Sequence, residues 1–311
     1  MRVVPMTSMA RMAPWQLALV QWIGTPKNFA TTFVFGSLNK QVRTEDRIID
    51  SDGGPLRLRI YTPRRAPETP RPLVVAIHGG GWVLGGLNPT DWMCSTIADG
   101  VDAIVVSVDY RLAPENPFPS GLDDCFRALV WSTDNAAVLG ATAGRTGIVG
   151  DSAGGNLAAV VSLLARDAGG PPIHHQALLY PAIDASATTD SYRDNKDAPM
   201  LTAADMDAYY GHYVGATGDR LDWRVSPLRA ASHKQLPPAL IQVAGHDPLH
   251  DEGVQYAAVL RAGGVPVKLS EYPAMPHGFL SFPRFNRDAG PALQEVIDEQ
   301  RRALRPETKQ E

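Results

Sequence analysis

From residue 45 onward, short apolar runs alternate with helical windows, and that alternation restricts the chain to very few folds. Leu73-Val-Val-Ala-Ile77 and Ala103-Ile-Val-Val-Ser-Val108 are continuous and rich in β-branched residues, as strands buried on both faces must be. Leu56-Arg-Leu-Arg-Ile60 alternates instead, the pattern of a strand with one wet face. Further short runs fall at Gly147–Val149, Ala177–Leu179 and Leu240–Ala244, with an alternating one at Val265–Tyr272. Helical windows lie between and after them at Thr90–Ala98, Leu122–Asn135, Ala153–Arg166, Asp251–Ala262 and Pro291–Leu304. In the last of these Leu293, Val296, Ile297 and Leu304 share one helical face. The pattern predicts an α/β fold with a mostly parallel sheet flanked by helices.

Two segments stand outside the alternation. Residues 1–44 read as helical and carry Trp15, Trp22, Phe29, Phe33 and Phe35; residues 186–233 form a polar, helix-leaning insert with Met200, Met206, Tyr209, Tyr210 and Tyr213. No internal repeat or long linker separates independent domains. The expected arrangement is one core, residues 45–185 and 234–311, carrying a small accessory layer made from 1–44 and 186–233. The run Trp15–Ile23 mimics a short signal peptide, but Gln16 and Gln21 interrupt it and no small-x-small site precedes Pro26. It is read as an amphipathic surface helix.

Composition narrows the function. A net charge of −4 without a Lys/Arg cluster argues against nucleic-acid binding, which needs clustered cations. No apolar run is long enough to span a bilayer. The 2 cysteines, Cys94 and Cys125, make neither a disulfide scaffold nor a metal cluster, and a reducing cytoplasm is the expected compartment. The 28 glycines and 26 prolines exceed average usage and call for many sharp turns.

Those turns hold the chemistry. Gly150-Asp-Ser-Ala-Gly154 follows a short apolar run and precedes a helix, the setting in which a serine sits on a strained strand-to-helix turn with its hydroxyl exposed. His78-Gly-Gly-Gly-Trp82 directly follows the buried run Leu73–Ile77, so backbone N–H groups can turn toward a ligand and stabilise an oxyanion. A nucleophilic serine needs a base, and the base an orienting carboxylate. Asp247 ends the buried run Leu240–Ala244, and His277 stands in Met275-Pro-His-Gly-Phe279 beyond the next strand. Asp251 and Glu252 are the competing acids, but they read as the start of the next helix, where acids favour the N-terminus. Asp151 is read as a turn stabiliser, Glu115 as a loop residue and His78 as an anchor of its glycine loop.

HGGGW, Tyr110-Arg-Leu-Ala-Pro-Glu115 with Phe118-Pro119, GDSAGG, Asp247-Pro-Leu and His277-Gly-Phe arrive in order across roughly residues 45–305. Together they resemble the bacterial hormone-sensitive-lipase-like esterases. The resemblance implies an α/β-hydrolase core, a cap built from the N-terminal helices and a mid-chain insert, and hydrolysis of short- to medium-chain acyl esters without a metal or organic cofactor. It places the triad at Ser152, Asp247 and His277, and the oxyanion donors at the N–H groups of Gly80, Gly81 and Ala153, with Gly79 a lesser contributor.

The expected partner is a small-molecule ester, and a homodimer is left open. For the acyl pocket the candidates are Trp82, Phe33, Phe35, Met200, Tyr209 and Phe279. Two other readings remain at this level: an amidase or peptidase with the same triad, and a non-enzymatic small-ligand receptor of the same fold. A plant hormone receptor similar to this family lost its catalytic histidine, and the presence of His277 argues against the receptor.

Overall fold

The computed structural model describes residues 8–67 and 69–304. Residues 1–7 of the expected accessory layer and 305–311 of the expected core lie outside them. Eight strands form one sheet: β1 (Val42–Ser51), β2 (Gly54–Pro63), β3 (Arg71–Ile77), β4 (Ile104–Asp109), β5 (Ala141–Asp151), β6 (His175–Leu179), β7 (Ala239–His246) and β8 (Val267–Pro276). Their order is β1-β2-β4-β3-β5-β6-β7-β8; β1 and β2 join antiparallel, and from β4 to β8 every pairing is parallel.

The helices of the core are α3 (Asp91–Val101), α4 (Ser120–Asp134), the short α5 (Ala136–Leu139), α6 (Ala153–Asp167), α9 (His250–Ala262) and α10 (Ala289–Leu304). Successive strand residues point to opposite faces. On β3, Leu73, Val75 and Ile77 therefore belong to the apolar layer that holds α4, α6 and α9, while Val74 and Ala76 belong to the one that holds α3 and α10. Both faces of β3 are dry, which is why its sequence is a continuous apolar run rather than an alternating one. The α10 stripe read from the sequence, Leu293, Val296, Ile297 and Leu304, is buried in the second of these layers.

The remaining helices come from the two segments outside the alternation: α1 (Pro14–Ile23) and α2 (Phe29–Phe35) before the sheet, α7 (Asp190–Asp194) and α8 (Ala203–Val214) between β6 and β7. The two segments meet where Ser8 Oγ and the Ala10 N–H both donate to the Asp205 carboxylate of α8. Among the described residues no helix is long and apolar enough to cross a membrane.

Several strands depart from the sequence-based boundaries. Strand β1 begins at Val42, before the expected core boundary at residue 45, and the Arg-Thr-Glu-Asp-Arg stretch that follows carries no apolar signal. It is an edge strand, where charge is tolerated because one side faces water. Strand β5 starts at Ala141, well before the apolar run at 147, because Thr142, Gly144 and Arg145 extend it past a register shift. Strand β8 runs on to Pro276 across an irregularity opposite Ala244 and His246.

Candidate active site

The order of the strands brings the motifs together before any side chain is considered. After β3 the chain crosses to β4 on one side, then returns to β5 on the other, so strand order reverses at β3. Crevices at such reversals, beyond the carboxyl ends of the strands, are where open α/β sheets bind ligands. Ile77 pairs with Gly150, so the glycine loop after β3 and the serine turn after β5 leave the sheet side by side. His246 pairs with Pro276, which places Asp247 and His277 together at the same end.

Ser152 holds φ +55°, a left-handed conformation uncommon for a side-chain-bearing residue. Its N–H donates to Leu179 O at 2.8 Å, and its carbonyl accepts from Asn156 N at 3.0 Å. Close packing keeps the turn sharp: a Cβ on Gly154 would collide with the carbonyl oxygens of Ile77 and His78, so α6 could not start this near β3. Asn156, fully buried on α6, donates to Ala182 O and Val225 O at 2.8 Å each and ties the turn to the loops beside it.

Ser152 Oγ lies 2.8 Å from His277 Nε2, and His277 Nδ1 lies 2.7 Å from Asp247 Oδ2. This fits an imidazole whose Nδ1–H donates to Asp247 while Nε2 accepts from the serine hydroxyl. Asp247 is fully buried, and its other oxygen accepts from Leu249 N at 2.9 Å. The Tyr180 ring meets the imidazole edge to face at 5.0 Å. The three side chains form one continuous chain of hydrogen bonds, with the imidazole placed to take the serine proton and the carboxylate placed to orient the imidazole.

The competing acids are engaged elsewhere. Asp251 accepts from Ser191 N at 2.8 Å. Glu252 Oε2 accepts from Ile183 N at 2.8 Å and Asp184 N at 2.9 Å. Burial lifts the Glu252 pKa to about 8, against the pull of those two donors and with a further push from Asp184 and Asp247. A carboxyl raised above its unfolded value of 4.5 contributes stability in full below that value and loses it as pH climbs toward 8. Glu252→Gln keeps an acceptor for both N–H groups and cannot ionise. The variant should match the parent in acid and exceed it by roughly 2–4 kcal/mol at alkaline pH. Thermal melts between about pH 5 and 9 check this, and parallel curves would count against it.

The glycine loop is held from below. Gly79 N donates to Asp151 Oδ1 at 2.9 Å, so this N–H is already committed and is not free for a ligand. Burial raises the Asp151 pKa to about 6, opposed by the Gly79 N–H and by His277. His78 stacks on Tyr110 at 4.2 Å, its Nδ1 reaches Gly79 O at 2.7 Å, and Tyr110 Oη donates to His78 O at 3.0 Å. Burial lowers the His78 pKa, favouring the neutral ring. Among the described residues the N–H groups of Gly80 and Gly81 have no protein acceptor. Ala153 is the first residue of α6, whose N–H has no intrahelical partner. Gly81 has φ +63°, and a Cβ there would overlap the Tyr209 ring, so the α8 segment lies directly on this loop.

A cavity of about 300 Å³ opens over Ser152 and His277. Of the pocket candidates, Phe35, Met200 and Tyr209 line it, and Trp82, Phe33 and Phe279 do not. Trp82 is buried beneath the glycine loop, stacked on Tyr213 at 4.4 Å. Phe279 is buried between Tyr180 and Tyr272, under the histidine loop. Phe33 faces outward from α2 toward Phe29 and Phe285. Val20, Leu84, Leu112, Met206 and Phe282 add further apolar side chains to the wall. Their place was not legible from the sequence, because they come from separate segments and only Leu112 belongs to a motif.

A family profile described as alpha/beta hydrolase fold matches residues 74–281. The chain is 45% identical to carboxylesterase NlhH of Mycobacterium tuberculosis over 247 residues, 78% of this chain and 77% of that one. It is 41% identical to esterase LipI of the same organism over 251 residues, 79% and 77% of the two chains. Among solved structures, a thermostable esterase from Pseudomonas putida superposes with a TM-score of 0.87 at 31% identity, covering 96% of this chain and 92% of that one. The profile match, the relatives and the geometry at the ends of β3, β5, β7 and β8 agree, and the chain belongs to the bacterial hormone-sensitive-lipase-like esterase family of α/β hydrolases.

Proposed function

We propose that the chain is a serine carboxylesterase acting on short- to medium-chain acyl esters through an acyl-enzyme. It is a carboxylic ester hydrolase like its relatives, several of which bear the names carboxylesterase or esterase. The observation that carries the finer reading is the unbroken path from Ser152 through His277 to Asp247 at the floor of the cavity, with contacts of 2.8 and 2.7 Å.

In this reading His277 takes the proton from Ser152 as Oγ attacks the ester carbonyl. The N–H groups of Gly80, Gly81 and Ala153 receive the developing oxyanion, a contribution of about 3–4 kcal/mol for a single donor in a measured hydrolase. Asp247 holds the imidazole with its proton on Nδ1 and stabilises the imidazolium once formed. His277 then protonates the departing alcohol, and a water activated by the same Nε2 clears the acyl group from Ser152. The segments carrying α1, α2, α7 and α8 act as the cap, with Phe35, Met200 and Tyr209 against the substrate. The two buried free thiols, Cys94 and Cys125, support residence in a reducing cytoplasm.

A cavity of about 300 Å³ stands at the small end of ligand sites, which favours compact acyl groups. Across a series of p-nitrophenyl esters, kcat/KM should peak at acyl chains of about four to eight carbons and fall steeply beyond them. Matched p-nitroanilides should turn over far more slowly. A profile that rises to long-chain esters, or anilides cleaved as fast as esters, would overturn the assignment.

A further inference from the structure

Helix α1 turns its apolar side to solvent. Trp15, Leu19, Trp22 and Ile23 share one arc of the helix, with Val20 at its border. All five are exposed, Trp15 at 67% and Trp22 at 83%. The inner side is held by Leu17, which is buried, and by Gln21, whose amide donates to Val83 O and Ala113 O at 2.8 Å each. The apolar surface continues beyond α1. Phe29 is 84% exposed and stands 6.2 Å from Phe33, which meets Phe285 at 6.0 Å. Single exposed apolar side chains are ordinary, whereas a concentration of tryptophan and phenylalanine on neighbouring helices marks a binding surface.

The surface borders the mouth of the candidate active site. Val20, Gly24 and Thr25, at the end of α1 and just after it, line the cavity over Ser152. Phe35 on α2 lines it too, with its ring 5.7 Å from Phe282.

Charge selects the occupant. Residues 8 to 35, which build this face, carry Arg11 and Lys27 and no Asp or Glu, although the whole chain carries −4. Lys27 pairs with Asp91 of the core. Arg284 adds another cation, its guanidinium 5.0 Å from the Phe33 ring. Two such faces pressed together would bring like charges together, while an anionic phospholipid surface offers negative charge to the basic residues and an apolar boundary to the aromatic ones.

We propose that this face docks on an anionic phospholipid surface, with Trp15, Trp22 and Phe29 seated among the headgroups and the mouth of the cavity turned toward the bilayer. Tryptophan favours the headgroup level of a bilayer, and basic residues draw the face to anionic lipid. Docking itself does not require hydrolysis. What it delivers to Ser152, an apolar ester dissolved in the bilayer, rests on the hydrolase reading above.

The test sediments the full chain carrying Ser152→Ala with vesicles of phosphatidylcholine mixed with phosphatidylglycerol, at low and high salt. Binding should be present, should weaken as salt screens the attraction, and should fall about tenfold when Trp15→Gln and Trp22→Gln are added. With Ser152 restored, the double variant should hydrolyse a dissolved short ester at the parent rate, showing that the fold is intact. No binding to the mixed vesicles overturns the proposal, as does binding unaffected by the two substitutions. A homodimer in solution that the same substitutions dissociate also overturns it, because a second copy then covers the face. Vesicle binding in a chain that hydrolyses no ester would instead sink the hydrolase reading and leave the docking surface standing.

Discussion

Ser152→Ala should lower ester turnover by about 10⁴-fold or more while leaving the melting temperature close to that of the parent. The hydroxyl's hydrogen-bond partner is His277 Nε2, so its loss removes one partly exposed contact and no core packing. The backbone bonds that shape the turn, Ser152 N to Leu179 O and Asn156 N to Ser152 O, do not involve the side chain. The φ of +55° is imposed by the packing of β5 against α6 and persists with alanine. A kinetic collapse without a thermal one is therefore the signature of a nucleophile. Assay of p-nitrophenyl butyrate beside a thermal melt reads both. Turnover within about tenfold of the parent would remove Ser152 from the mechanism.

Asp247→Asn is the second large effect, an expected loss of about 10⁴-fold in kcat with little change in KM. The carboxylate now accepts two hydrogen bonds, one from Leu249 N at 2.9 Å and one from His277 Nδ1 at 2.7 Å. An asparagine can keep its oxygen on Leu249, which aims its NH₂ at Nδ1. The imidazole must then accept at Nδ1 and carry its proton on Nε2, so it donates toward Ser152 instead of accepting from it. Geometry survives and the tautomer is wrong. Steady-state kinetics on a dissolved ester would read the loss in kcat. A variant retaining most of its kcat would show that another group, not Asp247, orients the base.

Much of the site was legible because its requirements are local. The serine turn needs small residues where α6 starts against the end of β3, and Gly154 records that need. Asp247 could be preferred over Glu252 from chain position alone, since an acid just past a buried strand stands at the end of the sheet, whereas one inside the next helix is carried away from it. The structure gives Glu252 a different task, capping the Ile183 and Asp184 N–H groups.

The lining of the cavity was not legible in the same way. Trp82 and Phe279 adjoin the two most informative motifs, yet both side chains turn into the protein, one under the glycine loop and one under the histidine loop. Adjacency in sequence says that the backbone is close to the reacting atoms. It does not say to which side a ring points, because φ +60° at Trp82 and the left-handed Gly278 before Phe279 redirect the chain locally. Phe33 and Phe35 differ by two positions on one short helix, and only Phe35 faces the cavity.

The sequence by itself determined the α/β core, the order in which its strands deliver the serine, the acid and the histidine, and the identity of the glycine loop. These follow from periodicity and from residue types demanded at fixed turns, which are properties of neighbours along the chain. Only the tertiary structure decided which side chains wall the cavity, that Gly79 spends its N–H on Asp151, and that α1 keeps Gln21 inward and its tryptophans outward. Those choices depend on contacts between segments tens to hundreds of residues apart, and an amphipathic pattern alone cannot tell a helix which of its faces will meet the protein.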